Sequence, residues 1–270
     1  MNYKTYPPST QLSPLIKCYW TLEGPKEELP QRQTIVPDGC MEMIFHHGEP
    51  FKQYVSKVKW IIQPRCFVIG QLTQPLVIEP TGETGIFSVR FHPHGFTPFT
   101  TLPLKELENK AISLKRLFGE EGQELADKMI QSDSTQQRIK MIETFLLSRV
   151  AHTETIDRIV KSTVDTILTA KGQLSIDAIS RENYIHRRNL ERKFSTAIGL
   201  SPKQLAKTIR LQDTLKLLLN QQFTNLTSLS YQGGYYDQSH FIKDFKEFTG
   251  LTPSEIYGEH LQFSKLFFES

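Results

Sequence analysis

The chain has 270 residues, 38% of them apolar and 23% charged, which is enough for two cored domains and ordinary for a globular protein. No run reaches the apolar length of a bilayer span, and the opening MNYKTYPPSTQLSP lacks the apolar core of a secretory signal, so a cytoplasmic chain starting here is expected and a membrane is not. The net charge of +3 is unevenly spread: residues 1–155 balance 17 basic against 17 acidic side chains, whereas Arg181–Lys216 alone hold 9 basic and 3 acidic.

In chain order, Tyr6-Pro7-Pro8 begins an extended entry, and Leu15–Leu22 is apolar and aromatic at strand spacing. Thr34–Val36 and Met41–Phe45 flank Pro37-Asp38-Gly39, a tight-turn sequence. Phe51–Lys59, Cys66–Ile69 and Leu76–Ile78 read as further strands, and Gly85–Phe91 (GIFSVRF) alternates most clearly. Short strands with turns about every ten residues predict a small antiparallel barrel or sandwich. Leu114–Ile130 and Gln136–Val150 then read as amphipathic helices, so this half is α+β, β first. Trp20, Met41, Met43, Phe45, Phe87 and Phe91 read as core. Cys18, Cys40 and Cys66, odd in number and without CxxC spacing, read as buried thiols. His92-Pro93-His94 and His46-His47 raise a metal site. No carboxylate follows at the spacing a metal-binding barrel needs, where Pro98 and Phe99 stand instead, so strand-end histidines are expected and no metal or other cofactor.

Ala151–Thr155 is polar and marks a boundary, giving domains over 1–155 and 156–270. Thr155–Lys171 is a helix with Ile156, Ile159, Val160, Val164 and Ile167 on one face. Ser175–Arg181 and His186–Ser195 are two short helices with Ile185 anchoring the turn between them. Pro202–Leu219 is one long helix. Leu226–Ser230 begins another short one, broken at Gly233-Gly234-Tyr235 and capped again at Asp237 or Ser239. Phe241, Phe245 and Phe248 then form a buried stripe, Gly250 supplies a left-handed cap, and Thr252-Pro253 opens a further short helix. RKFSTAIGLSPKQL and KDFKEFTGLTPSEI repeat with a period near 52 residues. The second half is thus all-α, with helix-turn-helix units over about 175–197 and 226–249 joined by a helix over about 202–219. The tail His260–Ser270, with Phe263, Leu266, Phe267 and Phe268, packs on the last helix or the β domain, or forms a self-association surface.

GGYYDQSHFIKDFKEFTGLTPSEIY resembles the second helix-turn-helix of the AraC/XylS transcriptional regulators: a Gly-aromatic turn, Asp-Gln-Ser, Phe, a basic residue, Phe-Lys and Thr-Gly-hydrophobic-Thr-Pro, in order and at spacing. GLSPKQLA and Arg210-Leu211-Gln212 resemble that family's connecting helix. Tyr184 departs from it, standing where the family usually turns on glycine. YPPSTQLSPLIKCYW, IVPDGCMEMIF, FVIGQLTQP and GIFSVRFHPHGFTPF resemble the sensor-like N-terminal domain of one branch, a domain of unknown function.

The resemblance implies a bacterial cytoplasmic regulator, an activator by commoner mode, that reads two successive major-groove segments of double-stranded DNA and works with RNA polymerase, with a homodimer as one assembly. It also implies a cupin-like, effector-binding β domain and a small-molecule effector. The outer helix faces supply the DNA contacts. Arg188, Arg192, Gln238, Ser239 and Lys243 are suited to base edges, and His186, Arg187, His240 and Lys246 to phosphates. Arg90, Trp20 and Glu42 are the candidate effector contacts; Arg90 either holds an anionic effector or pairs with Asp38 or Glu42. The alternative is an enzymatic or ligand-binding first half with the DNA-binding half as accessory. The sequence offers no nucleophile motif, phosphate loop or complete metal set for it, so a non-enzymatic protein is expected.

Overall fold

The computed structural model describes residues 1–150, 157–220 and 222–256. The linker at 151–155 and the tail at 260–270 fall outside them. Ten strands come first: β1 (Asn2–Tyr6), β2 (Ile16–Gly24), β3 (Gln33–Ile35), β4 (Glu42–His46), β5 (Lys52–Tyr54), β6 (Trp60–Ile62), β7 (Cys66–Ile69), β8 (Leu76–Glu79), β9 (Thr84–Phe91) and β10 (Ala111–Ser113). Their pairings are antiparallel and make two sheets, ordered β1-β2-β9-β4-β7-β10 and β3-β8-β5-β6.

The two-residue period of a strand decides what each face presents. From β2, β4 and β9, Tyr19, Met43, Phe45, Phe87, Val89 and Phe91 form one core with Leu125, Met129, Ile142 and Leu146. The last four belong to α1 (Leu114–Gln131) and α2 (Thr135–Leu147). Phe45, Phe87 and Phe91 are fully buried, each contributing about 1.5–3 kcal/mol. The alternate residues Cys18, Trp20, Leu22, Ile44 and Ile86 cluster with Phe51 and Ile78 between the sheets. β9 is buried at all its positions, because helices cover one face and the second sheet the other. Its alternation separates two interiors rather than core from solvent.

Some expectations need correction. Phe51–Lys59 is strand only over β5, since the Val55 and Ser56 amides donate to the Lys59 carbonyl and turn the chain into β6. α1 is interrupted at Gly119, whose backbone is non-helical (φ 65°, ψ −145°). Thr252-Pro253 leads into a turn over 253–255, not a helix. Trp20, expected in a core, is in one: it is buried in the cluster between the sheets and also lines the cleft there.

The second half contains α3 (Arg158–Thr169), α4 (Ile176–Glu182), α5 (Arg187–Ile198), α6 (Pro202–Leu219), α7 (Leu226–Gln232) and α8 (Gln238–Thr249). It has two cores. Val160, Val164, Ile179, Leu190, Phe194 and Leu205 make the first. Leu211, Leu215, Leu229, Phe241, Phe245 and Phe248 make the second. α6 supplies residues to both, so it is the common spine. Its start is fixed by Pro202 at the first turn and by a reciprocal Ser201–Gln204 capping box. Among the described residues, no helix is long and apolar enough to cross a membrane.

The two halves touch at defined points. Gln212 on α6 donates to the Pro37 carbonyl at 2.6 Å, and Val36 joins the second helical core. Gly39 lies so close to α6 that an added Cβ would sit 2.7 Å from Leu205 Cδ1. Thr97 donates to the Ala197 carbonyl at 2.6 Å, and the C-terminal end of α5 packs on a short 3-10 helix, Leu104–Leu107.

Candidate nucleic-acid interface

Each unit is two short helices around a tight turn, the second helix amphipathic. In the first unit, the Ile185 amide returns to the Ser180 carbonyl (3.1 Å) and Tyr184 is left-handed at φ 49°. In the second, the Tyr235 amide returns to the Ser230 carbonyl (3.0 Å) and Gly234 occupies the left-handed position at φ 71°. The two turns are equivalent bond for bond. α5 and α8 end alike, on Gly199 and Gly250 in the left-handed region.

The inner face of α5 is Leu190, Phe194 and Ile198, all fully buried. His186, Arg187, Arg188 and Arg192 are exposed. Arg187 donates to Asp177 (3.1 Å) and Glu191 (3.0 Å), tying α4 to α5. Among the described residues, Arg188 and Arg192 make no ion pair, which leaves two guanidinium forks facing outward.

On α8, Phe241, Phe245 and Phe248 face inward, and Phe241 meets Phe245 edge to face at 5.4 Å. Lys207 bridges α6 to Asp244 (3.0 Å) and Glu247 (2.8 Å), which fixes α8 on the spine. Asp237 is the N-cap: it accepts from the His240 amide at 2.8 Å and lies 2.9 Å from His240 Nδ1, and these bonds hold its carboxyl below its ordinary value. Gln238 accepts from the Thr227 hydroxyl at 2.9 Å. Ser239, His240, Lys243 and Lys246 are exposed, and Lys243 and Lys246 make no ion pair among the described residues.

The three candidate effector contacts lie together between the sheets. Arg90 is 2% exposed; its Nη1 donates to Glu42 at 3.0 Å and its Nη2 to Asp38. Of its two readings, the structure therefore shows the ion pair. Trp20 and Glu42 line a cleft with Tyr3, Ile44, Phe51 and Ile78. Asp38, named from the sequence as a partner of Arg90, lines it too, and so does His46, which sequence reasoning did not place there. Burial pushes Glu42 up to about 7 and pushes His46 down to about 4. His92 and His94 stack at 6.1 Å, and the described residues hold no cluster of three or more His, Cys, Asp or Glu side chains arranged for a metal. The three cysteines are free; Cys18 and Cys66 are buried, and Cys40 is partly exposed.

Two helix-turn-helix units hung on one spine helix define the class, a double helix-turn-helix domain joined to an antiparallel two-sheet domain. Residues 179–257 match a family described as Helix-turn-helix domain, and residues 4–113 match Domain of unknown function (DUF6597). The C-terminal part thus carries an AraC-type helix-turn-helix domain. An uncharacterized helix-turn-helix-type transcriptional regulator of Haemophilus influenzae is 31% identical over 80 residues, 30% of this chain and 26% of that protein, so the match spans about a quarter of the relative. Among solved structures, ToxT of Vibrio cholerae bound to (E)-4-(8-methylnaphthalen-1-yl)but-3-enoic acid is 15% identical over 93% of this chain and 99% of its own, with a TM-score of 0.48. The C-terminal domain of AraT, a response regulator of Geobacillus stearothermophilus, is 21% identical over 41% of this chain and 98% of its own, at 0.35. A probable AraC family regulator of Rhodopseudomonas palustris is 26% identical over 37% of this chain and 94% of its own, at 0.34.

Proposed function

We propose that the chain is a sequence-specific regulator of transcription, an activator, in which residues 156–270 read two successive major-groove segments of double-stranded DNA and residues 1–155 sense a small molecule. The observation that carries the reading is the spine. α6 contributes to both helical cores, so two amphipathic second helices are held at a fixed separation with their polar faces outward. Arg188, Arg192, Ser239 and Lys243 are the base readers, on helices whose inner faces are locked by packing. Gln238 joins them by exchanging its bond from Thr227 for one to a base. His186, Arg187, His240 and Lys246 position the phosphates. The Arg187 bonds to Asp177 and Glu191 and the His240 bond to Asp237 suit side chains that hold register rather than read sequence.

Effector control is supported by the turn at 37–39. Asp38 lines the inter-sheet cleft, while its neighbours Pro37 and Gly39 lie against Gln212 and Leu205 of α6. A ligand that moves this wall acts on the spine that sets the spacing of both readers. Fluorescence anisotropy on DNA from upstream of the gene, against scrambled DNA over a salt series, tests the reading. A preference for the upstream DNA that persists as salt rises is expected. Equal affinity for both DNAs at every salt concentration overturns sequence-specific readout at that site.

A further inference from the structure

The nature of the effector follows from the cleft, and this step rests on the sensing role proposed above. The cleft between the sheets has about 80 Å³ of open space, with walls that are largely apolar and aromatic, Tyr3, Trp20 and Phe51 among them. The charged side chains that line it, Asp38 and Glu42, are both acidic. Their partner Arg90 is 2% exposed behind them, on Glu42 at 3.0 Å and on Asp38. One guanidinium against two ionised carboxylates leaves an excess of negative charge at low dielectric, which is costly. Burial pushes the Glu42 carboxyl up to about 7, against the pull of Arg90, so the site takes up a proton readily. On the same wall His46 is 1% exposed, and among the described residues neither ring nitrogen makes a hydrogen bond of ordinary geometry, although Gln63 is near enough to act on its charge.

We propose that this cleft binds an organic cation with an apolar body, a substituted ammonium whose charge sits against Asp38 and Glu42 and whose alkyl or aryl part lies among Trp20, Tyr3 and Phe51. Aromatic faces attract such a cation, and a desolvated carboxylate attracts it more strongly. A carboxylic acid would instead add negative charge to an edge where two carboxyl groups already share one guanidinium. The neutral imidazole of His46 offers a further acceptor on that wall to an ammonium bearing N–H. Admitting an aryl ammonium requires the cleft to widen, and the 37–39 turn is the part of its wall that leans on α6.

The test uses the full chain carrying Trp60→Phe, which leaves Trp20 as its remaining tryptophan, and follows Trp20 fluorescence together with anisotropy of labelled upstream DNA in the same samples. The probes are benzyltrimethylammonium, its uncharged carbon isostere neopentylbenzene, and 3-phenylpropanoate. The cation should bind at least about tenfold more tightly than the neutral isostere, and Glu42→Gln should remove most of that preference while leaving neutral binding unchanged. Asp38→Asn serves as a second variant if Glu42→Gln fails to fold, and thermal shift by the cation is an independent readout. Equal binding of cation and isostere, tighter binding of the carboxylate, or no response of Trp20 to any probe each overturns the proposal. Specific DNA binding in those same samples would leave the regulator reading standing; its loss would break that reading whatever the ligand result.

Discussion

The two helix-turn-helix units share one bond pattern and are stabilised by different means. In the second unit, local chemistry agrees with the geometry at each corner. Asn225 caps α7 by accepting from the Ser228 amide at 2.8 Å, Asp237 caps α8, and Gly234 takes the left-handed turn position. In the first unit, neither Ser175 nor His186 makes a side-chain cap bond, and the left-handed position is held by Tyr184 with its ring 99% exposed. That unit is held from outside, by Thr97 on the Ala197 carbonyl, by the Leu104–Leu107 turn under α5, and by α3. One turn geometry can therefore be specified by local residues or imposed by neighbours. Both versions touch the β half, the imposed one through Thr97 and Leu104–Leu107 and the local one through Val36 in its core.

The largest expected effect sharpens this contrast at the turn. An added Cβ on Gly233 would sit 2.2 Å from Thr214 Oγ1 and 2.9 Å from its Cγ2, so Gly233→Ala should cost the helical half about 2–4 kcal/mol, read by chemical denaturation. The equivalent Asn183→Ala loses a 3.0 Å bond to the Ile179 carbonyl and should cost under about 1 kcal/mol. Next comes DNA. Arg192→Ala and Lys243→Ala should each weaken specific binding by roughly 1–3 kcal/mol, at different base positions. An equal loss on all sequences would turn either residue into a phosphate contact. Tyr184→Gly should stabilise the first unit by about 0.5–1 kcal/mol, because glycine enters the left-handed region without the Cβ penalty and the exposed ring buries nothing. If thermal melts show no gain, the strain lies elsewhere. The smallest effect is electrostatic. The Asp237 carboxyl is held low by the His240 amide, so its capping contribution is complete above the ordinary carboxylate range and is lost as pH falls through its depressed value. Asp237→Asn should remove that acid dependence from the second unit, whereas His186→Asn should leave it unchanged.

What was legible in the sequence follows the same division. The spine, the aromatic stripe of α8 and its Gly250 cap were readable because each is a local signal. β1, with the polar sequence NYKTY at a sheet edge, and β10, of three residues, carry too little pattern to be read, and neither was anticipated. β6 was missed for the opposite reason: its Trp60, Ile61 and Ile62 are apolar yet exposed, so hydrophobicity gives no alternation there. Arg90 was identifiable as a partner of Asp38 or Glu42, but that it pairs with both at once depends on how two sheets meet. The contact between residues 36–39 and α6 spans a separation that no periodicity encodes.

That contact has a thermodynamic corollary. Gln212 and Leu205 meet the same turn whose Asp38 lines the cleft, so whatever free energy a ligand transmits to the DNA-reading helices must flow back undiminished. The operator would then act as an effector of the sensor. A ligand that tightened DNA binding tenfold would itself be held tenfold more tightly by protein already seated on its site. The concentration at which the switch responds would be set by promoter occupancy as much as by the cleft.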